Sequence, residues 1–398
     1  MSPPTQDQIK KLVNVLIVEA VKARASDIHF DATEDGGGRV RFRVDGVLRD
    51  QQPLPETAYE GVIERVKVMA DLDTSEHRLT QVGRCFVTIN GEGYDFRVSV
   101  VPAFHGERVV IRILTGQGKP PELERLGLTD AQLETMRQLS SLPHGLLIVT
   151  GPAGSGKTTM LYGMIGQVDS SKSCVITIED PVGEKLDGVA QIETRPQIGL
   201  TTVRVFREVM RQDPDVIMVH EIRDLEILEA VLLGAATGHL VLTTLHAPTA
   251  PAAVRRLLDL GIEPYRINAN LRAVISTRLV RILCEQCKRP VEPPLHSAPP
   301  QVAEILKQDK EASFFEPAGC EACGRSGFRG RTGIFEILVM NDAVRQAVAG
   351  GGELNDIAVA AVASGMEPLL TAGLKMAARG ITSLQEVLRV APPGFASA

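Results

Sequence analysis

Gly151, Pro152, Ala153, Gly154, Ser155, Gly156, Lys157 and Thr158 stand in the order GxxxxGK[ST], with Thr159 next. The apolar run Leu146 to Thr150 precedes them and a helical pattern follows, the context a phosphate-binding loop needs. Glycines let backbone amides turn inward around a β-phosphate, and a helix starting near Lys157 aims its positive dipole end at the same point. Lys157 is then expected to reach the β- and γ-phosphates, and the Thr158 hydroxyl to bind Mg²⁺. ATP and Mg²⁺ are the first two expected ligands.

Hydrolysis also needs an acid that organises water. Glu221 closes the apolar run Val216 to Val219 after His220, and Glu179 with Asp180 closes Val175 to Ile178. Ligands of an open α/β sheet lie beyond the carboxyl ends of its strands, so both acids should face the γ-phosphate. Glu179 is expected to activate water and Glu221 to act through Mg²⁺ and its waters; the competing reading makes one of them a loop cap. His239 and His246 flank the run Leu240 to Leu245. Read from the residues alone, they are either structural or phosphate-sensing.

Six cysteines are present, and four form two CxxC pairs, Cys284 with Cys287 and Cys320 with Cys323. Each turn aims two thiolates at one centre, and two turns complete a tetrahedral S₄ site suited to Zn²⁺. Reduced structural thiols and a redox pair are the alternatives. Cys85 and Cys174 read as small buried hydrophobes.

Further elements must position these groups. Residues 6–23 carry an amphipathic helical pattern, with Ile9, Leu12, Val13, Leu16, Ile17, Ala20 and Val21 on one face. Arg39 to Val44 alternates as a strand entering a tight turn at Asp45-Gly46. A helix over 56–70 and strands over 84–90, 94–101 and 107–114 complete a small α+β (PAS-like) domain spanning 1–115. A linker is expected at 116–124. The pattern then becomes buried strands alternating with helices, the signature of a mostly parallel sheet. Asp224 should cap a helix running to about Ala236, with Gly238 just beyond. The expected organisation is a RecA-like α/β core over 125–283, a tetracysteine subdomain over 284–325 bridged by the proline-rich stretch 290–300, and a C-terminal helical region over 326–398 whose tail from Ala391 is frayed.

A chain of 398 residues exceeds one usual core. The net charge of −6 gives no bulk case for nucleic acid or an anionic membrane. The polar start has no signal-peptide pattern, and no run reaches the roughly 18–20 apolar residues of a membrane helix. A cytosolic protein that meets membranes only through partners is expected.

Taken together, these segments resemble the ATPases of type II secretion and type IV pilus assembly, over about residues 8–390. Ala25-Ser-Asp-Ile-His29, Arg39 to Arg49, Asp95 to Ser99 and His105 to Leu114 are similar to the family's second N-terminal domain. Ile176 to Val182 resembles its Asp box, Arg211 to Asp224 its Walker B region, and Thr237 to His246 its His box. The resemblance implies a hexameric motor at the inner membrane that drives a platform protein to extend a pilus or pseudopilus. It implies Glu179 as general base, Glu221 as Walker B acid, and His239 and His246 as phosphate-linked. Arg97, Arg112, Arg41 and Arg43 become candidates to meet nucleotide across a domain gap; a solvated sheet face is the other reading of Arg39, Arg41 and Arg43. Arg207 and Arg211 could serve the site or a subunit interface. The cysteine pairs resemble the subdomain of assembly ATPases, which retraction ATPases generally lack. Four positions depart from the family pattern: His220 stands where glycine is usual, Gly183 where an acid is common, and Thr80 and Val82 where Pro and Asp are usual. Many members also carry a further N-terminal docking domain, which this sequence does not show, as in a short variant or a truncated piece. Competing classes are a nucleotide-switched assembly module without turnover and a DNA-handling motor.

Overall fold

A computed structural model describes residues 4–114, 120–292, 299–308 and 312–392. Part of the expected linker, 115–119, and the tail beyond 392 lie outside the described residues, as does part of the proline-rich stretch. The chain divides into two units, Met1–Gln117 and Gly118–Ala398.

In the first unit, helix α1 (Gln6–Lys22) starts at a capping box in which Thr5 and Gln8 satisfy each other's backbone amides. It buries Ile9, Val13, Leu16, Ile17 and Ala20, the stripe read from the sequence. Strands β1 (Ala25–Ala32), β2 (Gly38–Val44), β3 (Val47–Asp50), β4 (Gln81–Ile89), β5 (Glu92–Ala103) and β6 (Gly106–Leu114) form one antiparallel sheet in the order β3-β2-β1-β6-β5-β4. Helix α1 and α2 (Glu56–Met69) share a core with the Phe30, Val40, Phe42, Phe96 and Ile111 face. Alternation sends Arg39, Arg41 and Arg43 to the other face. The sequence reading passed over β1, whose run of buried residues hides its alternation.

The second unit holds a seven-stranded sheet. Its strands are β7 (Gly145–Thr150), β8 (Val175–Glu179), β9 (Ala190–Glu193), β10 (Val216–Val219), β11 (Leu240–Leu245), β12 (Leu271–Leu283) and β15 (Phe328–Val339), in the order β15-β12-β7-β11-β10-β8-β9. All pairings are parallel except β12 with β15. Strands β7, β8, β10 and β11 are buried throughout, so they read as continuous apolar runs. Side chains of the two faces alternate between two cores. Leu147 and Val149 pack with helices α3 (Asp130–Ser140) and α4 (Lys157–Ile165). Leu146 and Ile148 pack with α5 (Thr202–Val209), α6 (Leu225–Ala236), α7 (Ala250–Asp259), α8 (Pro264–Asn270), α10 (Asp342–Ala349) and α11 (Leu354–Ala363). Asp224 caps α6 through Ile227 N, and Gly238 takes φ 106° just past its end.

Two expected boundaries shift. Leu123, placed in the linker, is fully buried in the second core, so the chain is already packed there. The region after 325 is not only helical: β15 adds twelve residues to the sheet. Glu336 interrupts its alternation from a buried position, which hid the strand.

Between the cysteine pairs, β13 (Lys288–Val291) pairs with β14 (Phe314–Pro317), with α9 (Pro300–Gln308) in the connection. Val302 and Phe314 pack on Leu374 of α12 (Leu369–Ala378) and Val387 of α13 (Leu384–Val390). Glu386 anchors α13, accepting Arg281 Nη2 at 2.8 Å and Arg389 Nη2 at 2.6 Å. Burial would raise its pKa, but the Arg389 and Arg281 guanidinium groups bring it from the ordinary 4.5 to about 2. A depressed carboxylate contributes stability above its unfolded pKa and loses that contribution as pH falls through the folded one. Glu386→Gln should therefore cost on the order of 3 kcal/mol near neutrality, and the gap to the parent should close between pH 4.5 and 2 in acid unfolding.

Among the described residues, no helix is long and apolar enough to cross a membrane.

Candidate functional site

Strand β7 ends at Thr150 and α4 begins at Lys157, so the phosphate loop spans the turn between them. Gly151, Gly154 and Gly156 take φ of 146°, 73° and 94°, conformations L side chains avoid. A Cβ on Gly151 would lie 2.6 Å from both Thr277 O and Ser155 Oγ, so the loop packs tightly on β12. Pro152, Ala153 and Gly154 are exposed at the tip. Thr158 stands in the first turn of α4, half-buried, with Thr159 exposed beside it. Lys157 Nζ donates to Gly151 O and Pro152 O, both at 3.0 Å, which holds the ammonium over the loop. Burial lowers its pKa, the Glu221 carboxylate opposes this, and Arg278 adds to the lowering.

Parallel register brings β8, β10, β11 and β7 to one edge, where their carboxyl ends meet. There His246 Nε2 lies 2.8 Å from Glu221 Oε1, while its Nδ1 lies 3.2 Å from Gly151 O. One imidazole thus joins Glu221 to the phosphate loop. Arg223, which sequence reasoning missed, bridges Asp180 Oδ2 at 3.2 Å and Glu221 Oε2 at 3.4 Å. Its place two residues past Glu221 was the available signal. Glu179, Asp180, His220, Glu221 and Arg223 line a cleft of about 270 Å³. His220 borders it half-buried; burial lowers its pKa against the pull of Glu179 and Glu221.

Two of the expected site residues, Glu179 and His239, have protein partners of their own. Glu179 is only 1% exposed, and its carboxylate is already engaged. It accepts Tyr162 Oη, Thr177 Oγ1 at 2.6 Å and Gln191 Nε2 at 3.1 Å. Tyr162 Oη in turn accepts the Gly183 and Glu184 amides at 3.3 and 3.4 Å. Three protein donors occupy this carboxylate, whose two oxygens offer about four acceptor sites, so it anchors the 180–184 turn and retains one site on Oε2. His239 sits at the wrong end of its strand. It precedes Leu240, which pairs with Gly145 at the start of β7, whereas the loop follows Thr150, the partner of Leu245. Six residues of strand span about 20 Å. His239 Nδ1 instead meets Gly234 O at 3.0 Å, at the end of α6.

The arginines are spread. Arg207 and Arg211, on and just past α5, are exposed and pair with Glu226 at 3.3 Å and Glu208 at 3.7 Å. In the first unit, Arg97 and Arg112 are cross-strand partners. Arg112 engages buried Asp27 at 2.9 Å, and Asp31 holds Arg41 and Arg108 at 2.7 and 3.1 Å. These β1 acids, unnoticed in the sequence, order the arginine face.

Among the described residues, the four thiols Cys284, Cys287, Cys320 and Cys323 form one cluster with Sγ atoms within 4.8 Å. Neighbouring pairs lie 3.7–3.9 Å apart. A tetrahedron with Zn–S bonds of about 2.3 Å has S···S edges of about 3.8 Å, so the donor set fits zinc. Cys320 N and Gly327 N both point at Cys323 Sγ at 3.2 Å, which favours a thiolate there.

The model of the Type II/IV secretion system protein family matches residues 4–389. The chain belongs to this family. Type II secretion system ATPase E of Vibrio cholerae is 41% identical over 385 residues, 96% of this chain and 75% of the relative. The type IV pilus assembly ATPase PilB of Myxococcus xanthus is 39% identical over 391 residues, 97% and 69% of the two chains. The pilus retraction motor PilT with bound ADP superposes with a TM-score of 0.64 at 25% identity, covering 95% of this chain and 96% of that one. The Legionella pneumophila ATPase DotB gives 0.69 at 20% identity over 95% of each and supports the fold. This member of the secretion family is an ATP-hydrolysing motor, with nucleotide and Mg²⁺ as its working ligands.

Proposed function

We propose that this ATPase works as a homo-hexamer on the cytoplasmic face of the inner membrane. Hydrolysis drives a platform protein of a secretion or pilus machine and so extends a pseudopilus or pilus. The observation that carries the reading is the single imidazole of His246 joining Glu221 to Gly151, because it ties a hydrolytic acid to the phosphate loop. The loop Gly151 to Thr159, through its backbone amides other than that of Pro152, and the Lys157 ammonium bind the triphosphate, and Thr158 binds Mg²⁺. Glu221 acts through Mg²⁺ and its waters, oriented by His246 and Arg223. Glu179 positions the 180–184 turn rather than taking a proton. Arg97 and Arg112 reach nucleotide from a neighbouring subunit, while Arg207 and Arg211 serve the subunit interface. His239 is structural. The four cysteines hold a structural Zn²⁺. No nucleic acid partner is involved.

Light scattering paired with phosphate release tests this, with and without the cytoplasmic domain of a candidate platform protein. Turnover should rise as hexamers form and rise again with the partner. A monomer whose activity ignores both would overturn the motor assignment.

A further inference from the structure

Two buried charges lie beside the phosphate loop. Arg278 on β12 is 5% exposed and Glu336 on β15 is 2% exposed. Ser276 pairs with Glu336 and Arg278 with Ile334, so the charged side chains are diagonal neighbours on one face of the sheet.

Each binds backbone that leads to His246. Arg278 donates from Nη2 to Pro248 O at 2.6 Å and from Nη1 to Thr277 O at 2.9 Å. The same Nη1 lies 3.1 Å from the Cβ position of Gly151. Next to it, Thr277 Oγ1 donates to Ser155 O at 3.0 Å. Glu336 Oε1 accepts Ala250 N at 2.7 Å, and its Oε2 accepts Leu369 N at 3.3 Å. Those amides open α7 and α12. Because α12 has Pro368 at its N-cap and no side-chain cap of its own, Glu336 supplies the missing acceptor. The segment His246-Ala247-Pro248-Thr249-Ala250 is therefore held by Arg278 at one point and Glu336 at another. A third hold comes from Thr150 Oγ1, which meets Ala247 N at 2.9 Å.

Two buried charges are not by themselves a gain in stability. An apolar pair of similar volume is often as stable as two buried charges, whereas removing one charge alone leaves the other uncompensated. Burial lowers the pKa of Arg278 and Glu336 opposes that; burial raises the pKa of Glu336, and the two amides and Arg278 oppose that. What the charges add over an apolar pair is fixed placement of a loop.

We propose that Arg278 and Glu336 are positioning residues for ATP hydrolysis, fixing the His246–Ala250 segment so that His246 keeps Glu221 at the phosphate loop. The proposal rests on the reading that Glu221 and His246 act at the γ-phosphate. It also joins the site to α12, which packs against Phe314 beside the tetracysteine layer.

The test uses the full chain and compares melting temperature, Mg-nucleotide affinity by calorimetry and kcat. The double variant Arg278→Met/Glu336→Met leaves no charge unpaired but strips the Ala250 and Leu369 amides and the Pro248 carbonyl of their side-chain partners, so it should fold with a lowered melting temperature. Its affinity should stay within a few fold, while kcat falls on the order of tenfold to a hundredfold, as expected when a catalytic group is displaced by about 1 Å. Arg278→Lys keeps the charge but not the fork, and should recover part of the loss. A folded double variant with parental kcat overturns the proposal. If the double variant does not fold, Arg278→Lys decides: reduced kcat at unchanged affinity supports positioning, and unchanged kcat refutes it. Glu221→Gln is the control. Normal turnover in that variant removes the underlying reading, whereas normal kcat in the Arg278 and Glu336 variants beside an inactive Glu221→Gln removes only this proposal.

Discussion

Glu221→Gln is expected to bind Mg-nucleotide nearly as the parent does and to hydrolyse it about 10²–10³-fold more slowly, the usual cost of losing one oriented charged group at a transition state. The carboxylate lies between His246 at 2.8 Å and Arg223 at 3.4 Å, so its position is set before substrate arrives. Lys157→Ala removes the ammonium held over Gly151 and Pro152 and should abolish both binding and turnover. Glu179→Gln separates the two acids. Its amide would face donors from Tyr162, Thr177 or Gln191 in a buried site. A mismatch of that kind costs about 1–3 kcal/mol of stability. The expected order of loss is melting temperature first and kcat second. A parental melting temperature with abolished kcat would instead restore Glu179 as the general base. Single-turnover phosphate release with a parallel thermal melt reads all three variants.

The second large effect concerns the cysteines. Purified protein should carry one zinc per chain by elemental analysis, and a strong chelator should collapse the layer spanning 284–325. Structural zinc contributes apparent binding energies of about 10–16 kcal/mol in small domains at neutral pH, and that energy is folding energy. Among the described residues the layer is otherwise held by a four-residue strand pair, the cluster around Val302 and Phe314, and hydrogen bonds from Ser313 and Lys288 to Ala378 and Gly380. Cys323→Ser should reproduce the chelator effect, because it also strips the sulfur that receives Cys320 N and Gly327 N. Limited proteolysis between β13 and β14 would report the opening. Metal-free protein with unchanged melting and cleavage would show the four thiols to be merely reduced cysteines.

Local chemistry was the part readable in order along the chain. A phosphate loop is one continuous octapeptide, a CxxC turn is four residues, and a helix cap is a side chain and an amide three positions on; each is complete within a segment. Strands β7, β8, β10 and β11 were equally plain, because burial on both faces makes an unbroken apolar run. So was the alternation that separates Arg39, Arg41 and Arg43 from Val40, Phe42 and Val44. Position across the sheet was not. Parallel register put His246 and His239 at opposite edges although both flank one strand. Packing of α4 on the sheet delivered the Tyr162 hydroxyl to Glu179. Asp27, Arg223, Arg278 and Glu336 carry no motif, since each works through a partner on another strand or loop that only the folded chain brings within 2.6–3.2 Å. The sequence by itself determined which groups can touch a phosphate or a metal. The tertiary structure decided which of them meet at one edge of the sheet, because only register and packing set the distance between side chains on different strands.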